Sequence, residues 1–192
     1  CDVSGSMSRY SRMLLHFMHV LTTLRNDVHT FLFGTRLTNV TRFLRFKDVD
    51  EALAATSSAV EDWSGGTRIG DCLKEFNFNW SRRVLGPGAI VLFITDGLDR
   101  GGGIGLSKQI KLIQKSSKRL IWLNPLLRYE EFAPKPTGVK AILPYVDEFR
   151  PIHSLESMDQ LVNALSETNL QSRFNMAPWL QKLSEIENAE CH

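Results

Sequence analysis

The apolar positions of the chain repeat with two periods, and each period predicts an element. Over Ser8–Leu24 the residues Leu14, Phe17, Met18, Leu21 and Leu24 recur at helical spacing, which predicts an amphipathic helix with Ser6 or Ser8 as its cap. His29–Phe33 and Leu37–Phe43 read as short strands joined by Gly34-Thr35-Arg36, and a connection that short implies an antiparallel hairpin. Val49–Val60 reads as a helix with Val49, Leu53 and Val60 on one face. Ile69–Val84 is a stronger one, with Ile69, Cys72, Leu73, Phe76 and Trp80 on a single stripe. Ala89–Thr95 is a continuous apolar run without alternation, the pattern of a strand buried on both faces of a parallel sheet. A helix over Leu106–Ser117, a buried strand over Arg119–Leu123, a short strand over Phe149–Ile152 and a helix over Leu155–Leu165 complete the pattern. Beyond about Thr168 the periodicity fades, so residues 169–192 are expected to be a tail or an extra helix.

Strands alternating with helices predict a three-layer α/β fold with a mostly parallel sheet, as one domain over residues 1–168. In such sheets ligands bind at the carboxyl ends of the strands, where the strand order reverses. The chain has 192 residues, 43% of them hydrophobic, and a net charge of +2, which offers no argument for a nucleic-acid or membrane partner. No apolar run approaches the roughly 18 residues of a membrane span. Cys1, Cys72 and Cys191 are scattered and odd in number, which predicts reduced thiols and a cytoplasmic location. The chain opens directly on a motif, without an initiator Met or signal peptide, so it is expected to be a fragment whose first strand, before Asp2, is mostly missing.

That motif is Asp2-Val3-Ser4-Gly5-Ser6. A further hydroxyl, Thr67, lies in Ser64-Gly65-Gly66-Thr67, and a further acid, Asp96, in Thr95-Asp96-Gly97. Residues at i, i+2 and i+4 of an extended segment point the same way, so Asp2, Ser4 and Ser6 can converge on one point. Hydroxyls and carboxylates are hard oxygen ligands suited to Mg²⁺, or to Ca²⁺ or Mn²⁺, and they do not select zinc or copper. Neutral hydroxyls as direct ligands would leave the ion with much of its charge, and so able to attract an acidic side chain from outside. Capping and turn formation account for each piece taken separately; the three together are harder to explain that way.

Other chemistry is weakly supported. Ser64-Gly65-Gly66-Thr67 could cradle a phosphate at a helix start, but the G-x-x-x-x-G-K-[ST] loop is absent. Gly101–Gly105 does not fit G-x-G-x-x-G, and no G-x-S-x-G elbow would make Ser4 or Ser6 a nucleophile. His16 and His19 have a metal-binding spacing but lack further ligands, and Cys191-His192 is expected to be disordered. Asp99 and Arg100, on the same rim as Asp96, form either a surface ion pair or a contact for a partner.

The segments Asp2-Val3-Ser4-Gly5-Ser6-Met7, Gly65-Gly66-Thr67 and Thr95-Asp96-Gly97 resemble the metal-ion-dependent adhesion site of von Willebrand factor A (VWA) domains, over residues 1 to about 168. The resemblance implies a Rossmann-like doubly wound sheet with one antiparallel edge strand. It also implies Mg²⁺ on Ser4, Ser6 and Thr67, supported through water by Asp2 and Asp96. The wording of Phe33–Thr38, Trp63–Gly70 and Thr95–Arg100 is similar to the CoxE-like bacterial proteins. These are intracellular accessory factors associated with metalloenzyme maturation and with MoxR-type AAA+ ATPases. The resemblance therefore implies a non-enzymatic, Mg²⁺-dependent protein-binding module in the cytoplasm, with such an ATPase as partner. Two alternatives stand beside it. One is a metal-dependent phosphoester hydrolase, for which the sequence offers no clear base or nucleophile, Asp99 being the candidate to try. The other is an extracellular adhesion domain, which the lack of a disulfide framework argues against.

Overall fold

The computed structural model describes residues 1–61, 66–129, 131–166 and 175–190. Its elements run α1 (Ser8–Leu24), β1 (Phe31–Phe33), β2 (Leu37–Asn39), α2 (Val49–Ala59), α3 (Ile69–Asn79), α4 (Ser81–Val84), β3 (Ile90–Ile94), α5 (Leu106–Ser116), β4 (Arg119–Asn124), α6 (Thr137–Ile142), β5 (Glu148–Pro151), α7 (Leu155–Ser166) and α8 (Ala177–Glu190). The expectation of a disordered Cys191-His192 falls outside the described residues, as does the Ser64-Gly65 part of the predicted loop.

β3, β4 and β5 form a parallel sheet in that order, and β1 and β2 form an antiparallel hairpin with Phe31 opposite Asn39. Cys1–Val3 joins the two. On one side the Phe33 N–H donates to the Cys1 carbonyl at 2.9 Å, and the Val3 N–H donates to the Phe33 carbonyl at 3.0 Å. On the other side the Asp2 N–H donates to the Ile94 carbonyl at 2.8 Å. Asp2 faces Phe33 in parallel register. The spatial order is therefore β2, β1, the Cys1–Val3 stub, β3, β4, β5. This is a doubly wound sheet with one antiparallel edge strand, and its order reverses at Asp2.

Successive strand residues face opposite sides. Leu32, Ile94, Ile121 and Leu123 pack with Leu14, Leu15 and Met18 of α1 and with Met158 and Leu161 of α7. Phe33, Phe93, Leu120, Trp122 and Phe149 pack with Ile69 and Leu73 of α3, Ile110 and Ile113 of α5, and Val139 and Ile142 of α6. Helices on both faces make three layers. α8 adds Leu183 and Trp179 to the second face, with the Trp179 ring edge-on to Phe149 at 5.2 Å.

Several elements differ from the sequence reading. The stripe over Ile69–Val84 is two helices, because Trp80 leaves helical geometry (φ −122°, ψ −37°) where its ring packs against Phe31 at 5.1 Å. β2 stops at Asn39 because the Asn39 side-chain oxygen accepts the Thr41 N–H at 3.0 Å and turns the chain. The Ala89–Thr95 run is fully buried only towards its carboxyl end, and Ile90 is 39% exposed. The stub reaches no further than Ile94, so the first residues of β3 have a strand on one side only among the described residues. α6 was not anticipated at all, and it proves to position the site.

Candidate metal centre

Asp2 lies at the switch point and is fully buried. Its Oδ1 accepts the Ser4 N–H at 2.8 Å and, more weakly, the Thr67 hydroxyl at 3.4 Å. Its Oδ2 accepts the Thr95 hydroxyl at 2.7 Å. Three distant segments thus meet on one carboxylate. The Ser4 and Ser6 hydroxyls face each other at 3.2 Å. Neither Ser6 nor Ser8 caps α1, whose start lies behind Met7 and carries no side-chain cap. The two hydroxyls are directed at each other rather than at the orphan N–H groups of the helix. Neighbouring ligands about 2.1 Å from an octahedral Mg²⁺ lie about 3 Å apart, so this spacing suits a shared ion.

Asp96 follows β3 and is 1% exposed. Its Oδ1 accepts the Leu98 N–H at 3.0 Å, while its buried Oδ2 has no partner among the described residues. Neither Asp2 nor Asp96 has an ion pair there. Burial pushes the Asp2 carboxyl above its ordinary 3.8, against the hydrogen bonds from Thr95 and Ser4, and the nearby Asp96 charge adds to the rise. Two buried carboxylates and an orphaned oxygen are costly without a cation. The described residues include no group of three or more His, Cys, Asp or Glu able to hold a metal. By the chemistry of its donors, hydroxyl and carboxylate oxygens, the set suits a hard ion such as Mg²⁺ or Ca²⁺ better than zinc.

This predicts a pH dependence whose sign follows from the raised pKa. A carboxyl more basic folded than unfolded contributes stability that is fully present below the unfolded pKa and is lost as pH rises through the folded one. The cation-free protein should thus lose stability to Asp2 as pH climbs above 3.8. Saturating divalent cation should flatten that contribution. Melting temperature against pH, with cation or chelator, checks it, with Asp2→Asn as the reference that lacks the ionisation.

The remaining predicted residues lie on the rim. Thr67 is 3% exposed, and its carbonyl accepts the Arg100 N–H at 2.9 Å, which ties the Thr67 segment to the loop after Asp96. Asp99 and Arg100 do not pair. The Asp99 oxygens accept the Ile69 N–H at 2.9 Å and the Gly103 N–H at 3.0 Å, so Asp99 holds the start of α3 and the glycine loop. The exposed Arg100 side chain lies across Gly66, where a Cβ would sit 1.9 Å from its Nε. Both residues, with Ser4, Ser6, Thr67 and Thr137, line a cleft of about 410 Å³. His19, by contrast, is buried and bonded through Nε2 to the Phe46 carbonyl at 2.9 Å, away from the cleft lining.

Sequence reasoning passed over four contributors. Thr95 grips Asp2 and accepts the Gly97 N–H at 3.0 Å. Trp122 donates to the Thr95 carbonyl at 2.9 Å, and buried Asn124 donates to the Asp96 carbonyl at 3.2 Å. Gly138 of α6 lies against the Gly97 carbonyl. A hydroxyl beside an acid was a visible signal for Thr95; Gly138 had none.

Comparison with known proteins gives three findings. A family described as "VWA domain containing CoxE-like protein" matches residues 1–158. Among solved structures, proximal thread matrix protein 1 from the mussel byssus superposes with a TM-score of 0.51 at 17% identity, covering 85% of this chain and 45% of that one. At that identity the likeness concerns the fold alone, and this chain spans less than half of that protein. No curated protein matches the chain.

Proposed function

The chain belongs to the family of VWA domain containing CoxE-like proteins, and from that membership and the buried Asp2 and Asp96, which have no ion pair among the described residues, we propose a protein-binding module that works through a divalent cation. The observation that carries the reading is the pair of buried carboxylates with no counter-ion among the described residues, beside hydroxyls at ligand spacing. Ser4, Ser6 and Thr67 hold the ion, Mg²⁺ by preference and Ca²⁺ or Mn²⁺ as substitutes. Asp2 and Asp96 balance its charge from behind. The bound ion supplies an electropositive centre for a carboxylate oxygen of the partner. The partner class that fits the family resemblance is a MoxR-type AAA+ ATPase, in metalloenzyme maturation or complex remodelling in the cytoplasm. Among the described residues no helix is long and apolar enough to cross a membrane.

A hydrolytic role would need a base beside the ion. The acid nearest to hand, Asp99, has both oxygens engaged by backbone N–H groups, which favours the non-enzymatic reading. Calorimetric titration with Mg²⁺ tests the proposal. Wild-type protein takes up one ion, and Thr67→Ala weakens uptake about tenfold, the worth of one good polar contact, without unfolding the chain. Folded wild-type protein that takes up none of Mg²⁺, Ca²⁺ and Mn²⁺ would remove the reading.

A further inference from the structure

We propose that the chain carries a second carboxylate-binding site beside the cation centre, a nest of Arg9 and Arg128 around Tyr10, so that the partner's docking segment presents at least two neighbouring acidic side chains. The inference rests on the function proposed above only for where the first carboxylate binds.

Both arginines lie on the carboxyl rim of the sheet. Arg9 is three residues beyond Ser6 in the first turn of α1, a rise of about 5 Å along a helix. Arg128 ends the 3-10 turn Pro125–Arg128 after β4, and Asn124 at the head of that turn bonds the Asp96 carbonyl. The Arg9 guanidinium lies 5.9 Å from the Tyr10 ring centroid and that of Arg128 lies 5.8 Å from it. Arg128 also stacks on Tyr129 at 4.4 Å and donates to the Tyr129 hydroxyl. These contacts hold the Arg128 guanidinium in place without neutralising it, and leave Arg9 beside the same ring.

The site has charge and donors to offer. Neither arginine forms an ion pair with a described carboxylate. The Tyr10 hydroxyl, on a residue 6% exposed, has no partner among the described residues, and neither has the Arg128 Nε–H. Two like charges held over one ring, with two buried polar groups unmet, make a receptor for an anion. The planar guanidinium fork matches a carboxylate. The Arg9 backbone lies about one helical turn from Ser6, a separation that neighbouring side chains of one peptide can bridge. Arg100 adds positive charge at the cleft itself. Exposed Glu131, on the loop after Tyr129, pairs with none of them.

The experiment uses the full chain in Mg²⁺ and fluorescence anisotropy with three capped, labelled peptides. One carries a central Asp flanked by two Glu on each side. The second replaces the Glu by Gln, and the third replaces only the central Asp by Asn. The Glu flanks are expected to tighten binding about tenfold at low salt, and less as salt rises. Arg9→Gln combined with Arg128→Gln removes that preference and leaves Mg²⁺ uptake unchanged. Tyr10→Phe, which keeps the ring, reduces the preference while the free protein keeps its melting temperature. Equal affinity for Glu-flanked and Gln-flanked peptides overturns the nest. So does a Glu preference that survives the double arginine change, or an absence of binding by the Glu-flanked peptide. Indifference to the central Asp and to chelator, with the Glu preference intact, would instead sink the cation reading and leave the nest standing.

Discussion

Gly138→Ala should be among the most damaging single-methyl additions in the protein. A Cβ at this position would lie 2.2 Å from the Gly97 carbonyl oxygen, which is backbone and cannot rotate away. Gly97 cannot retreat either. Its φ is +81°, its own Cα faces Val139 and Trp122 (a Cβ there would meet them at 2.8 and 2.9 Å), and its N–H is bonded to Thr95. The clash must therefore move α6 or the loop that carries Asp96. Overpacking of this kind costs about 3 kcal/mol or somewhat more. For a chain of this size that is a fall of about 6–12 °C in melting temperature. Mg²⁺ uptake should weaken in parallel, because Asp96 immediately precedes the displaced residue. Gly86→Ala is the control, since a Cβ there has open space around it. Equal melting temperatures for the two variants would show that α6 does not press on the loop as described.

Asp2→Asn should give two effects of opposite sign. Without a divalent cation the variant should melt above wild type. It removes a buried charge that faces a second carboxylate, while an amide oxygen can still accept the Ser4 N–H and the Thr67 hydroxyl. The amide nitrogen can donate to the Thr95 oxygen in place of the bond it now receives. With cation the order should reverse. An ion at a hundred times its dissociation constant stabilises the native chain by about 2.7 kcal/mol, and the variant forgoes this because its site has lost a charge. Differential scanning calorimetry at neutral pH, with Mg²⁺ and with chelator, reads both. A variant less stable than wild type in chelator would mean that the Asp2 hydrogen bonds outweigh its desolvation.

Much of this was visible in the sequence where the physics is local. The α1 and α5 stripes repeat over three or more turns, and their predicted limits agree with the structure to within a residue. The apolar Ala89–Thr95 run located β3, and the short connection at Gly34 located the hairpin. Legibility failed where a distant contact overrides the local pattern. The break at Trp80 depends on a ring from β1, and Asp99 serves an N–H thirty residues before it. α6 is six residues long, too short for a period to declare itself, and the importance of Gly138 resides entirely in its approach to Gly97. The candidate site was read from residue types and order. Its geometry, including the part taken by Thr95 and Asn124, required the fold.

The contacts that knit Asp2 to Thr67 and to Thr95 join residues 65 and 93 positions apart in the chain. Loops of that length close slowly, and a topology dominated by such contacts folds late compared with one built from neighbours. Helices such as α1 and α5 can flicker into existence while the chain is still loose, and Asp2, Ser4 and Ser6 are near neighbours, but the oxygen cage is whole only with Thr67 and Asp96 in place. It exists when both wings of the sheet have docked on the Cys1–Val3 stub, and not before. On the function proposed above, the cage would act as a certificate of completed assembly. A chain still searching for its topology, or one trapped with a wing misplaced, has nothing with which to hold an ion, and so it stays out of any ion-dependent association.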